Sequence, residues 1–280
     1  MKKIISLGLL ITLLSGCNSI TSSSININNN TSTNSNISTT LSSSSSISSV
    51  VSSTSSTSSS VDTGYLVSDW YEGEYYNEFD FSLMDNNLFL ELRDLISTTH
   101  TTQITYGDLR YNTIARADAS ISDPSKIVLI YSRKEVSSTW DSGTTWNREH
   151  VWPQSVGWWG DAKNSSKNAG SDLHHVRPEN PGVNSSRGNK AFGTKQGQYL
   201  PVDEAKGDVA RILFYMLVRY QETDSKSITV VAESMELLLK WNELDPVDAL
   251  EIQRNNVAEE IQGNRNPFID YPELADVIWN

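Results

Sequence analysis

The chain has 280 residues, with 22 Lys+Arg against 34 Asp+Glu, a formal charge of -12 and a single cysteine. One cysteine makes neither an internal disulfide nor a cysteine-based zinc cluster, so any folded domain must rest on its apolar core or on oxygen and nitrogen metal ligands. The acidic sum excludes a protein that coats nucleic acid with its whole surface, because phosphate neutralisation needs Lys and Arg, yet it leaves room for a local basic groove.

The chain begins as a secretory signal. Residues 1–17, MKKIISLGLLITLLSGC, place two lysines before an apolar run too short for a permanent membrane span and end on small residues. Leu14-Ser15-Gly16-Cys17 resembles the lipobox of bacterial lipoproteins, which implies cleavage before Cys17 and lipidation of it. Burial of acyl chains at about 0.8 kcal/mol per CH₂ would then hold the protein on the membrane. From Asn18 to Val61, 35 of 44 residues are Ser, Thr or Asn, with no charge, aromatic, Gly or Pro. Such a segment buries too little apolar area to offset its conformational entropy, and residues 18–62 are expected to form a disordered stalk with an average reach of roughly 35–40 Å.

All eight prolines and all eight tryptophans lie after Asp62, so residues 63–280 are expected to be the folded domain. Leu88, Leu90, Leu92 and Leu95 predict an amphipathic helix over 87–97. Lys126 to Tyr131 (KIVLIY) reads as a buried strand. Val209, Ile212, Leu213, Met216, Leu217 and Tyr220 predict a strong helical stripe over 208–221. Asp245-Pro246 predicts an N-cap followed by proline at the first helical position, with Asp248 in the first turn and Gly263 closing that helix.

Chemistry is concentrated between Trp146 and Lys195. Three of the four histidines, His150, His174 and His175, lie here, and from Asn147 to Lys195 seven cationic residues face four acidic ones, a charge of +3. A basic island with clustered histidines in an acidic body marks a site for an anionic ligand. Asn147-Arg148-Glu149-His150-Val151-Trp152-Pro153, then Asp172-Leu173-His174, then Val183-Asn184 with Arg187-Gly188-Asn189, together resemble the endonuclease I family of extracellular and periplasmic nucleases. The likeness extends to residues 260–270 and covers 73–280. It implies an α+β fold, mixed and helix-rich in a single domain, containing a ββα-metal (His-Me) finger. It also implies metal-dependent cleavage of DNA, and of RNA as a further substrate, to 5'-phosphate ends. A monomer is expected, and the lipobox at Cys17 puts it on the extracellular face of the cell membrane.

Elementary chemistry gives the same residues work to do. Phosphodiester hydrolysis needs a deprotonated water and a countercharge for the phosphorane-like transition state. Imidazole accepts a proton near neutral pH, which makes His150 the candidate base. Mg²⁺, with Mn²⁺ or Ca²⁺ as substitutes, binds through one or two protein oxygens plus water and phosphate, and Glu149 and Asn184 are the candidate ligands. Adjacent residues on a regular strand point to opposite faces, so Glu149 and His150 should sit at a strand end, with Pro153 close behind. The second strand is expected at 172–176 and the finger helix after Pro181, with Asn184 and Arg187 on one face. Arg187 and Arg177 are the candidate catalytic arginines at the phosphate, and Arg148, His174, Asn189 and Lys190 the candidate substrate contacts.

Two rival readings stand beside this one. His174 and His175 with Asp172 could form a zinc hydrolase, and exposed tryptophans could serve a surface binding module without catalysis. Of Trp146, Trp152, Trp158 and Trp159, at most two are expected to reach nucleic acid, the rest being packing.

Overall fold

Helix α4 (Lys206–Tyr220) is the central helix of the described residues. The computed structural model describes residues 70–220 and 227–280, so the leader, Cys17 and the Ser/Thr/Asn segment lie outside the described residues. The stripe expected on α4 becomes burial nearly all round, from Gly207 to Val218. A helix apolar on every side belongs inside a fold, and α4 is packed by α1 (Asp85–Thr99), α5 (Met235–Leu244) and α7 (Pro267–Asp270). Helix α1 contributes Leu88, Leu92 and Ile96, fully buried at i, i+4 and i+8, each stabilising by about 2 kcal/mol. Two polar residues of α4 enter the interior already matched: Asp208 to Arg133 and Arg177, and Arg211 to Glu251 and Asn242.

Helix α6 (Ala249–Gln262) starts later than the sequence suggested. Asp248, and not Asp245, is the N-cap; its carboxylate accepts from the Glu251 amide at 2.9 Å while Glu251 reaches back to the Asp248 amide. The predicted stop is where expected: Gly263 takes φ +90°, a left-handed conformation open to glycine, and packs directly on Thr99 and Thr101. Helix α5, capped by Ser234, had drawn no expectation, and neither had α2 (Asn112–Ala117) or α8 (Leu274–Trp279).

Strands are few and short. β1 (Lys126–Val128) pairs antiparallel with β2 (Glu135–Ser137). The predicted strand 126–131 stops early because its last residues take other partners: Ile130 N donates to Pro178 O and Tyr131 N to the Glu179 carboxylate. β3 (Asn147–His150) pairs antiparallel with β4 (Val176–Glu179), with Glu149 opposite Arg177 and His150 opposite Val176. The second strand therefore lies four residues beyond the expected 172–176. Residues 172–175 turn instead, because Asp172 accepts backbone bonds from His174, His175 and Val176.

Helix α3 (Pro181–Arg187) follows, with Pro181 at its first position and Asn180 capping the Gly182 and Val183 amides. β3, β4 and α3 form the small ββα unit, and α3 packs on β3. A second core of Leu109, Ile114, Ile127, Trp146, Leu173 and Val176 lies beneath this unit, separate from the main one around α4. The described residues thus form a mixed, helix-rich α+β domain in which short strands serve one local unit. Among them, no helix is long and apolar enough to cross a membrane.

Candidate active site

β3 ends at His150, and that ending solves the geometry of adjacent residues. Glu149 and His150 are both buried to within a tenth of their surface, yet both line one open cleft of about 660 Å³. Asn184 and Arg187, one turn apart on α3, line it as well.

The imidazole of His150 is held in one tautomer. Its Nε2 lies 2.8 Å from Gly170 O, and since a carbonyl only accepts, Nε2 carries the proton and Nδ1 keeps a lone pair. The same short turn also fixes His175, whose Nδ1 donates to Ala169 O at 2.8 Å while Nε2 accepts from Trp152 N at 3.0 Å. Asn168 makes the turn rigid by capping the Gly170 amide and receiving Ser171 Oγ. Tyr106 stacks on the His150 ring at 5.1 Å and 18°. Burial first, and then His175, push the His150 pKa down to about 3, so the ring is in its proton-accepting form at neutral pH.

Glu149 is fixed on one side and open on the other. Its Oε1 accepts from Tyr131 OH at 2.6 Å and from Arg187 Nη1 at 2.8 Å, while Oε2 has no hydrogen bond among the described residues. Burial pushes its pKa up to about 7, against the pull of Arg187 and Tyr131. The site therefore favours a further positive charge next to Oε2. Asn184 is oriented to match: its Nδ2 donates to Asn147 Oδ1 at 2.8 Å, and its own Oδ1 accepts no hydrogen bond among the described residues. Two hard oxygens with room for water suit Mg²⁺, which keeps several waters. Among the described residues no group of three or more His, Cys, Asp or Glu could close around a metal.

The arginines and the second histidine stand elsewhere than expected. Arg187 is buried, and its guanidinium points inward to Glu149, His150 O at 3.0 Å and Val151 O at 2.5 Å, with Phe192 beneath at 4.5 Å. It clamps the strand end and leaves little to offer a phosphate. Arg177 does not reach the cleft: it is 1% exposed and paired with Asp118 at 2.7 Å and Asp208 at 3.4 Å. His174 is likewise sealed inside, its Nε2 on Asn264 O at 3.0 Å, so it is no substrate contact. With His175 spending both ring nitrogens on backbone, the pair does not form the suggested zinc site. Arg148 and Asn189 line the cleft, whereas Lys190 turns its ammonium back on Ser186 O and does not. Trp146 and Trp152 are core residues; Trp158 is 41% exposed.

Several supports escaped the sequence reading. Tyr131 lay hidden in an apolar run, Gly170 acts through its carbonyl, Tyr106 carries no motif of its own, and Asn147, though it opens the quoted motif, was given no role. The segment 260–270 acts as scaffold: Gln262 takes Leu173 N at 2.6 Å and donates to Asp172 at 3.0 Å, and Asn264 receives His174. Asp172 also accepts from Tyr215 and Tyr220 at 2.6 and 2.7 Å. Burial works against its charge, but the neighbouring histidines and these donors outweigh that and hold its pKa well below the usual range.

The sequence profile of the Endonuclease I family matches residues 85–200 and 194–273, which span the cleft and its scaffold. The chain belongs to the endonuclease I family. An extracellular ribonuclease of Bacillus amyloliquefaciens is 39% identical over 205 residues, covering 64% of this chain and 69% of that protein, and an extracellular ribonuclease of Bacillus subtilis (strain 168) matches to the same extent. A periplasmic deoxyribonuclease of Aeromonas hydrophila is 28% identical over 134 residues, 40% of this chain and 54% of that protein. Endonuclease I proteins are nucleases that hydrolyse phosphodiester bonds, and the matched residues include those that line the cleft described above.

Proposed function

We propose that this chain is an extracellular, divalent-cation-dependent endonuclease of low sequence preference that cuts DNA and RNA. One observation carries the reading: His150, Glu149 and Asn184 line the same cleft, and among the described residues His150 Nδ1, Glu149 Oε2 and Asn184 Oδ1 have no hydrogen-bond partner. Relatives named as ribonucleases and as a deoxyribonuclease support a pocket that reads phosphate and not the sugar.

In this mechanism Nδ1 of His150 takes a proton from water as its oxygen bonds to phosphorus, and the bond to the 3' oxygen breaks. The phosphate stays on the 5' side. Glu149 and Asn184 would hold the cation, whose chemistry is to supply countercharge to the transition state and the departing oxygen. Gly170 and Tyr106 keep the imidazole aimed, and Arg187 keeps Glu149 in place. Base edges have no assigned contact, in keeping with low sequence preference.

Cleavage of plasmid DNA and of a long RNA by the full chain, in Mg²⁺ and in EDTA, tests this. We expect both polymers to be cut with Mg²⁺ and neither with EDTA. If neither is cut in Mg²⁺ or Mn²⁺, the reading fails. We further propose that Cys17 is lipidated, that residues 18–62 tether residues 63–280, and that the enzyme acts as a monomer on the outer face of the membrane. Cys17→Ser should release the protein from the membrane fraction, and an unchanged distribution would remove the anchor.

A further inference from the structure

Most arginines of this acidic protein are paired with carboxylates, and Arg148 at the cleft and Arg110 beyond it are not. Seven arginines, from Arg116 to Arg265, carry a carboxylate partner. Arg110 and Arg148 have no such partner among the described residues. Arg148 lies flat on the Tyr106 ring, 3.6 Å from its centre, and donates to Tyr106 O. Tyr106 in turn stacks on His150, so Arg148, Tyr106 and His150 form one continuous stack at the cleft.

Arg110 continues this feature away from the cleft. Its Nη1 donates to Asn164 Oδ1 at 3.2 Å and its Nη2 to Tyr111 OH at 3.2 Å, and its guanidinium sits 5.1 Å from the Tyr111 ring. Tyr111 is 58% exposed, among the most exposed large hydrophobic residues described. The carboxylate of nearby Asp108 is occupied by Thr105. The segment that carries this outer pair is tied by backbone to residues 164–166, since Gly107 N donates to Asn164 O at 2.8 Å and Tyr106 N to Ser166 O at 3.0 Å. A Cβ at position 107 would meet Asn164 O at 2.8 Å, so the two segments are in direct contact.

We propose that Arg110 and Tyr111 form a binding subsite outside the cleft for one phosphate and one unstacked base of a single-stranded polynucleotide whose scissile phosphate lies at His150. The inference rests on the nuclease reading above. A guanidinium without a carboxylate neighbour in an acidic body recognises an anion, and an exposed ring next to it recognises a π-face. Every base has such a face, so the subsite is tolerant of sequence, but bases inside a duplex are already stacked on one another. The pair therefore favours single strands, RNA or DNA.

The test compares the full chain with the double variant R110Q/Y111A on a 20-nucleotide RNA, a DNA of the same sequence, and the matching DNA duplex. For both single strands we expect KM to rise tenfold or more with kcat within a factor of two, and the slope of log affinity against log salt to fall by about 0.7, the value for one lost phosphate contact on a single strand. The duplex KM should change less than twofold. Tyr111→Phe, which keeps the ring, should leave KM close to the parent value. A shift on RNA alone would restrict the subsite to RNA and overturn the shared form proposed here. Equal KM shifts on strands and duplex, or none on any substrate that the parent cleaves, would also overturn it. If the parent cleaves none of the three, this inference falls together with the nuclease reading.

Discussion

The end of β3 and the turn at 172–176 have the same kinds of residues and opposite fates. At the strand end, Glu149, His150 and Asn184 each satisfy one side of a polar group on protein and leave the other facing the cleft. In the turn, Asp172 and His175 spend their polar atoms on Tyr215, Tyr220, Gln262 and backbone, and His174 is sealed in the interior with Nε2 on Asn264 O. A histidine marks chemistry only where a ring nitrogen is both left over and on a residue that lines a cleft. The buried turn is what makes the open strand end rigid, because the Ala169–Ser171 segment that it follows holds His150 and His175 at once.

The largest effect that would break this contrast is on rate. His150→Ala should reduce kcat on plasmid by roughly 10²–10⁴-fold, the usual contribution of a general base, with the melting temperature little changed. His174→Asn should cost stability first and rate only through it. If the rates fell in the reverse order, with His150→Ala active, the division between open and bonded histidines would be wrong.

Next in size is the buried pair that the sequence had offered as catalytic. Arg177→Ala would strand Asp118 and Asp208 without one of their cations, and breaking such a buried pair costs about 3–5 kcal/mol. Urea denaturation should show that loss. Cleavage by the remaining folded protein should persist in conditions that keep it folded, since Arg177 has no path to the cleft.

A smaller effect is set by pH. Burial pushes the His175 pKa down to about 4, against about 6.5 in the unfolded chain. Between these values the unfolded state binds the proton that the folded state refuses, so this group's stability is complete above pH 6.5 and is lost as pH falls towards 4. Its share between pH 7 and pH 5 is roughly 2 kcal/mol. Glu149 acts in the opposite sense, because burial raises its pKa to about 7 and the folded state binds protons first. The difference between parent and His175→Asn in urea stability at the two pH values isolates the histidine, and the variant should show the flatter acid limb by about that amount.

Legibility in the sequence followed chemistry that is local. The stripe at 208–221, Gly263 after Ile261 and Pro181 ahead of the finger helix all act within a turn of where they stand, and each marked its element. The strand at 172–176 was misplaced by four residues because Asp172 competes for the backbone there, and its partners come from Tyr215 and Gln262, far along the chain. Arg177 illustrates the same limit for the site. Cationic residues near a histidine cluster read as phosphate contacts, but the acids that claim Arg177 are 59 positions before it and 31 after. The +3 of residues 147–195 was real in sum, but it does not rest on Arg177 and Arg187, which are buried against carboxylates; Arg148 and the four lysines carry it.

The contrast between open and closed polar groups also predicts where removal does least. Arg116 and Glu260 form a close ion pair on the surface, with side chains 52% and 63% exposed. Water already solvates both, so their attraction is screened and holding two long side chains together costs entropy; such pairs contribute about 0.2–1 kcal/mol. Arg116→Ala should therefore shift urea stability by less than 1 kcal/mol, and less still in high salt. Glu260 begins the C-terminal stretch that resembles the family, so a purely sequence-based weighting would rank it with Gln262. A loss of several kcal/mol from Arg116→Ala would show that this stretch bears on the fold through its surface as well as through Gln262, Asn264 and Asp270 inside.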